Sequence, residues 1–267
     1  MISELNIQTA LRGGITYLER SYCTQPFKVA NITEDKNDET LQLMAMSSSP
    51  GILDGDEYKW KIKIAERCSL QLHTQSFQRL FTMKRTASQT IEIWQRAGSS
   101  FYFLPHPVVP HEASSFCSNS KIFLSDDCSL VWGEVLTCGR KLNHEIFKFS
   151  KYHTITEIFI NNKLVIKENL LIDPSVVNVN VTGQLEGYTH QATFIYLKED
   201  VPVNNLIEEI SHYLSTEEEI MFGISAAPVN GFIVRLLGYK AEQLHACLKI
   251  IAEKIFISTH KKMKYAG

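Results

Sequence analysis

Four segments of this chain share one layout: a strand, a polar corner and a second strand. They are IKIAERCSLQL from Ile62, IEIWQRAGSSFYFL from Ile91, IFLSDDCSLVW from Ile122 and IFINNKLVI from Ile158. The corners are Glu66-Arg67-Cys68, Arg96-Ala97-Gly98, Asp126-Asp127-Cys128 and Asn161-Asn162-Lys163. They recur roughly every 30 residues, within the span of stacked repeat units. One such unit cannot bury both faces of its strands, whereas a stack can, because each sheet edge pairs with its neighbour. The pattern predicts a mainly β fold: a layered, helical-sheet body of β-helix character rather than a closed barrel. A plain β-sandwich is the alternative that spacing alone leaves open.

The surrounding segments fit the same reading. LQLMAM (41–46) is continuous and apolar, and KWKIKI (59–64) alternates apolar residues with lysines, a half-buried strand with one wet face. Between them, SSPGILDGDEY (48–58) carries the turn dipeptides Pro50-Gly51 and Asp54-Gly55. Its acidic spacing superficially resembles a calcium loop but lacks the ligand series and flanking helices of one. After about residue 200 the pattern changes. VNNLIEEISHYL places Leu206, Ile207, Ile210 and Leu214 on one helical face, and KAEQLHACLKIIAEKIFIS does the same with Leu244, Leu248, Ile251 and Ile255. IMFGISA and GFIVRLLG read as strands around a turn at Pro228–Gly231. The expected organisation is a β body over 1–200 and a small C-terminal α/β lobe with two helices over 201–267, ending in a frayed basic tail, THKKMKYAG.

Composition narrows the function classes. The 267 residues carry a formal net charge of −2, with no basic footprint for nucleic acid. No apolar run reaches the length of a membrane span, and the N-terminus lacks the layout of a signal peptide. Six cysteines (Cys23, Cys68, Cys117, Cys128, Cys138, Cys247) are scattered without a C-x-x-C pair, as expected of reduced thiols in a cytoplasmic protein.

Two carboxylates stand out. Glu134 lies inside the apolar run LVWGEVL, and Glu168 inside LVIKENLLI. A buried carboxylate is costly unless paired or wet. Arg140, just past the first run, is the natural partner if Glu134 belongs to a structural ion pair; otherwise both acids line a hydrated passage. Two isolated acids offer a divalent cation too few oxygen ligands to keep it, which suits transfer. Gln75 and Arg79, in HTQSFQRLF, can satisfy backbone groups at a sheet corner or hold a partner chain, and Asp54 reads as turn chemistry. His106 and His111, with Glu112 and Cys117, match no tetrahedral metal spacing. A hydrolase built on His73 or His111 would need a nucleophile–base pair that is not apparent.

Taken in order, CTQPFKVAN (23–31), SSPGILDGDEY, LHTQSFQRLF (72–81), LPHPVVPHE (104–112), WGEVLTCGRKLNHEIFKF (132–149) and LVIKENLLIDP (164–174) resemble the UreD/UreH family of urease accessory proteins over nearly the whole chain. The resemblance implies a non-enzymatic protein with a helical-sheet body and two helices. It also implies a cytoplasmic complex with UreF-type and UreG-type partners, the latter nickel-carrying GTPases, that docks on apo-urease and helps deliver nickel to it. No tightly bound cofactor is implied, only transient Ni²⁺. By motif position, Glu134 and Glu168 match acidic positions linked to an internal nickel route. The alternative is a pure docking module with no nickel passing through it.

Overall fold

Single left-handed residues turn the chain at three of the four corners. Arg67 (φ 56°), Gly98 (φ 67°) and Asp127 (φ 55°) each send a strand of one sheet into a strand of the other. The corners stack through backbone hydrogen bonds, Arg67 N–H to Ala97 O and Gly98 N–H to Asp126 O, both 3.0 Å. The structure is a computed structural model that describes residues 1–199 and 202–265, with side chains described to Ser258. The basic ending expected to fray has its side chains outside the described residues.

Strands are numbered in chain order. The first sheet holds β1 (Ile2–Arg12), β2 (Ile15–Cys23), β5 (Glu57–Ile64), β8 (Ala87–Gln95), β11 (Ser115–Leu124), β13 (Lys151–Ile160) and β14 (Lys163–Ile172), in the order β14-β13-β11-β8-β5-β1-β2. The second holds β3 (Phe27–Asn31), β4 (Thr40–Ser47), β6 (Ser69–Thr74), β9 (Ser100–Phe103), β12 (Ser129–Leu136), β15 (His190–Lys198), β16 (Ile220–Ala226) and β17 (Gly231–Gly238), in the order β16-β17-β15-β12-β9-β6-β4-β3. Parallel pairing runs through β1, β5, β8, β11 and β13 in one sheet and β4, β6, β9 and β12 in the other. The return from the second sheet to the first passes through short strands β7 (Gln78–Leu80) and β10 (Val108–Pro110). These stack in parallel on each other, and Ile52 bridges to Leu80. The chain therefore winds as a three-sided helix of strands, which separates it from a plain antiparallel sandwich.

The fourth expected corner is different. Asn161 and Asn162 both take left-handed φ values, 49° and 65°, and join β13 to β14 as an antiparallel hairpin within one sheet. Two successive left-handed residues reverse a strand, whereas one alone diverts it. The stretch SSPGILDGDEY is likewise more than a turn: Ile52 belongs to the stack of return segments.

Alternation sets the core. Ile7, Ile62, Ile93, Ile122 and Ile158 lie side by side across the first sheet, each at most 2% exposed. Leu41, Leu70, Phe101, Leu130 and Leu197 face them from the second. Burying each such side chain contributes about 1.5–3 kcal/mol. The lysines of β5 point outward, as the alternation predicts.

The outer face of the second sheet is covered too. Helices α1 (Asn204–Ser215) and α2 (Ala241–Tyr265) bury Leu206, Ile210, Leu214, Leu244, Leu248, Ile251 and Ile255 in a second apolar cluster with Val131, Val135, Phe194 and Phe232. Sheet strands buried on both faces read as continuous apolar runs, which explains the sequence of β12. Strands β17 and β16 of the C-terminal region continue the body's second sheet beyond β15.

Candidate functional site

Strand alternation decides what the interior contains at one end of the sandwich. On β12, Leu130, Trp132 and Glu134 share the inner face; Gly133 faces α2, where an added Cβ would sit 2.4 Å from Leu104 and 3.2 Å from Leu248. Register then aligns Glu134 with Thr193 of β15 and Thr193 with Arg235 of β17. Opposite them, in the first sheet, the apolar ladder gives way to Ser120, Thr156 and Glu168, paired side by side across β11, β13 and β14. A polar stripe thus crosses an otherwise apolar interior.

Two cavities follow this stripe. The first, of about 140 Å³, runs from the exposed Pro50, Gln75 and Ser76 inward past Trp60 and Tyr152 to Glu134. The second, of about 260 Å³, runs from Glu134 to Glu168, Arg235 and the exposed Asn169. They share three residues: Trp132, Glu134 and Thr154. Glu134 lies deep between the sheets yet keeps accessible surface, because both cavities adjoin it. Its carboxylate accepts a 3.3 Å hydrogen bond from Thr156 Oγ1. Burial pushes its pKa above the ordinary carboxylate value. The Thr156 hydroxyl and the nearby Trp132 indole oppose that shift, and the charge of Glu168 adds to it. Tyr152, 3% exposed on the first cavity, is held well above the ordinary phenol value by burial and then by the Glu134 charge.

The expected pairing of Arg140 with Glu134 does not occur. Arg140 grips Glu145 with two nitrogens, Nε at 2.7 Å and Nη2 on the second oxygen, and Glu145 also accepts the Glu112 backbone N–H. Arg140 lies past the end of β12, where the chain enters a short 3₁₀ turn at Lys141–Asn143, and so cannot reach back between the sheets. Glu168 does have a cation: Arg235 Nη2 donates to both its oxygens, at 2.7 and 2.8 Å.

The other sequence candidates separate. Gln75 sits at the mouth of the first cavity. Arg79 and Arg140 line a surface groove with Lys141 and Lys240. Asp54 accepts the backbone N–H groups of Lys84 and Arg85 at 2.8 and 2.6 Å, which holds its carboxyl below the usual range. His106 pairs with Thr74, and His111 packs on Phe81. Among the described residues, no group of three or more His, Cys, Asp or Glu side chains is placed to hold a metal ion. No helix among them is long and apolar enough to cross a membrane. Sequence reasoning missed Arg235 and Thr156. Arg235 carried the signal that marked the two acids, a lone charge in the apolar run GFIVRLLG; a threonine in a strand carries none.

A family model described as UreD urease accessory protein matches residues 2–261. The urease accessory protein UreD of Flavobacterium johnsoniae is 45% identical over 98% of this chain and 95% of the relative. The chain belongs to the UreD family of urease accessory proteins. UreD of Acetivibrio thermocellus is 31% identical over 95% of this chain and 97% of its own length, and UreD of Haemophilus influenzae 33% over 91% and 95%. In this member of the UreD family the separated stretches that carried the resemblance converge. Ile52 N–H donates to Arg79 O, Gln78 N–H to Pro107 O and Thr137 N–H to Val108 O, which stacks 48–58, 72–81, 104–112 and 132–149 along one side. An added Cβ on Gly51 would meet Arg79 O at 2.4 Å, so the tightness of this stack requires glycine there.

Proposed function

We propose that this protein acts in urease maturation as a non-catalytic scaffold through which nickel passes as cargo on its way to apo-urease, within a cytoplasmic complex with UreF-type and UreG-type partners. The observation that carries the reading is the position of Glu134, a carboxylate shared by two cavities that reach exposed residues at opposite ends. A carboxyl whose pKa is raised by burial exchanges its proton for an arriving cation, so the site stays near charge balance as metal enters and leaves. One carboxylate and neighbouring threonine hydroxyls are too few ligands to retain a divalent ion, so it moves on.

The test is co-production of the Glu134→Gln protein with urease and the other accessory proteins. The expected result is an intact complex and urease with several-fold less nickel. Normal nickel content in an intact complex would overturn the transit reading. The surviving role would then be docking alone, a reading favoured by the Glu168–Arg235 ion pair that spans the second cavity.

A further inference from the structure

Three histidines from distant parts of the chain gather where α2 packs on the body, one of them, His106, at the mouth of the first cavity. His106 lines the cavity beside Gln75 and Ser76. His245, on α2, presents its ring to His106 with centroids 5.2 Å apart and planes inclined by 43°. His73, on β6, packs on Tyr102 and lies within electrostatic reach of His106. Their hydrogen bonding is incomplete in a particular way. His245 is 6% exposed and its Nε2 has no hydrogen-bond partner; the Nε2 of His73 is buried and equally unpartnered. His106 is oriented at its other nitrogen: Nδ1 lies 2.9 Å from Thr74 Oγ1, which also accepts the His106 backbone N–H at 2.9 Å. With the proton on Nδ1, that is the arrangement of a metal-binding imidazole, Nδ1–H given to a second group and Nε2 left for the ion.

From these contacts we infer that His106 and His245 form a binding site for a divalent first-row transition-metal ion, with water completing the coordination and His73 beside it. Metal–nitrogen bonds of about 2.0–2.1 Å put each ring centre about 3.2 Å from the ion, so two imidazoles at a tetrahedral angle stand about 5.2 Å apart. The observed separation of 5.2 Å, with the planes inclined by 43°, allows that approach. Imidazole suits nickel, zinc and copper, whereas carboxylate and hydroxyl oxygens suit harder ions, so the site would select the metal class before the oxygen-lined interior is reached. Burial and then the Lys249 ammonium lower the pKa of all three rings, which favours the neutral form that binds metal. Lys249 also opposes an incoming cation; it is exposed, and solvent weakens its charge without removing it, since all three rings feel it. The service of this site as a first stop for nickel rests on the transit reading; the binding itself does not.

The experiment is equilibrium dialysis of the full-length protein against Ni²⁺, paired with the visible absorption of Co²⁺ as a report on ligand geometry. In the His106→Gln/His245→Gln variant, one equivalent of metal and its cobalt spectrum should be lost. Lys249→Gln, a change at an exposed position, should tighten the same equivalent several-fold. Glu134→Gln should leave it in place, which separates this site from the interior passage. Unchanged stoichiometry and cobalt spectrum in the double histidine variant would overturn the assignment. So would unchanged affinity in Lys249→Gln, the arm that holds even if loss of two histidines disturbs the packing of α2.

Discussion

Glu168 and Arg235 come from opposite sheets, β14 and β17, and meet through two hydrogen bonds that span the second cavity beyond Glu134. Their side chains remain 27% and 52% exposed, so the pair is a hydrated latch rather than a dry lock.

Replacing Arg235 with methionine keeps the apolar stem and removes the latch. Because the pair is partly exposed, it contributes only about 0.2–1 kcal/mol to stability. Chemical denaturation should show a small loss, while Glu168 becomes free to face the second cavity. Unchanged nickel delivery to co-produced urease in this variant would show that the latch does not gate the passage.

Glu134→Gln should make stability less dependent on pH. The pKa of Glu134 is raised from 4.5 in the folded protein. The folded state therefore holds the proton more tightly than the unfolded state, and that advantage, complete below the ordinary carboxylate pKa, is lost as pH rises through the raised value. The variant should gain stability relative to wild type as pH rises above the ordinary carboxylate pKa, as read by urea denaturation at several pH values. A parallel pair of curves would remove burial of a titrating Glu134 as the cause.

Glu145 behaves oppositely. Its carboxyl is held below the usual range by hydrogen bonding from Arg140, and a backbone N–H from Glu112 also lowers it. The stabilisation is present above the ordinary carboxylate pKa and disappears as pH falls through the lowered value. Glu145→Gln should lower the thermal midpoint at neutral pH and converge on wild type in acid. Differential scanning calorimetry at several pH values measures both.

Gly133→Ala should destabilise by about 1–3 kcal/mol, since the new methyl would force Leu104 and Leu248 aside. A compensating Leu248→Ala should recover part of the loss in a double-mutant cycle, because the two sites touch. Additive losses would place the strain elsewhere.

Much of this architecture was legible in the residues themselves. The corners at Arg67, Gly98 and Asp127, the wet lysines of β5 and the buried stripes of both helices all follow from patterns a few residues long. The fourth corner misled because a strand–turn–strand pattern does not say whether the second strand stays in its sheet. Arg140 misled because proximity in sequence stood in for proximity in space, whereas the partner of Glu134 proved to be Thr156, brought across from the other sheet.

By itself, the sequence determined which segments become strands and which faces turn inward, because alternation and left-handed corners are encoded locally. Only the tertiary structure decided that Glu134 adjoins two cavities, that Arg235 holds Glu168, and that His245 meets His106. Those meetings depend on the register of strands and the docking of a helix contributed by segments far apart in the chain. Such long-range alignment is set by packing the whole interior at once.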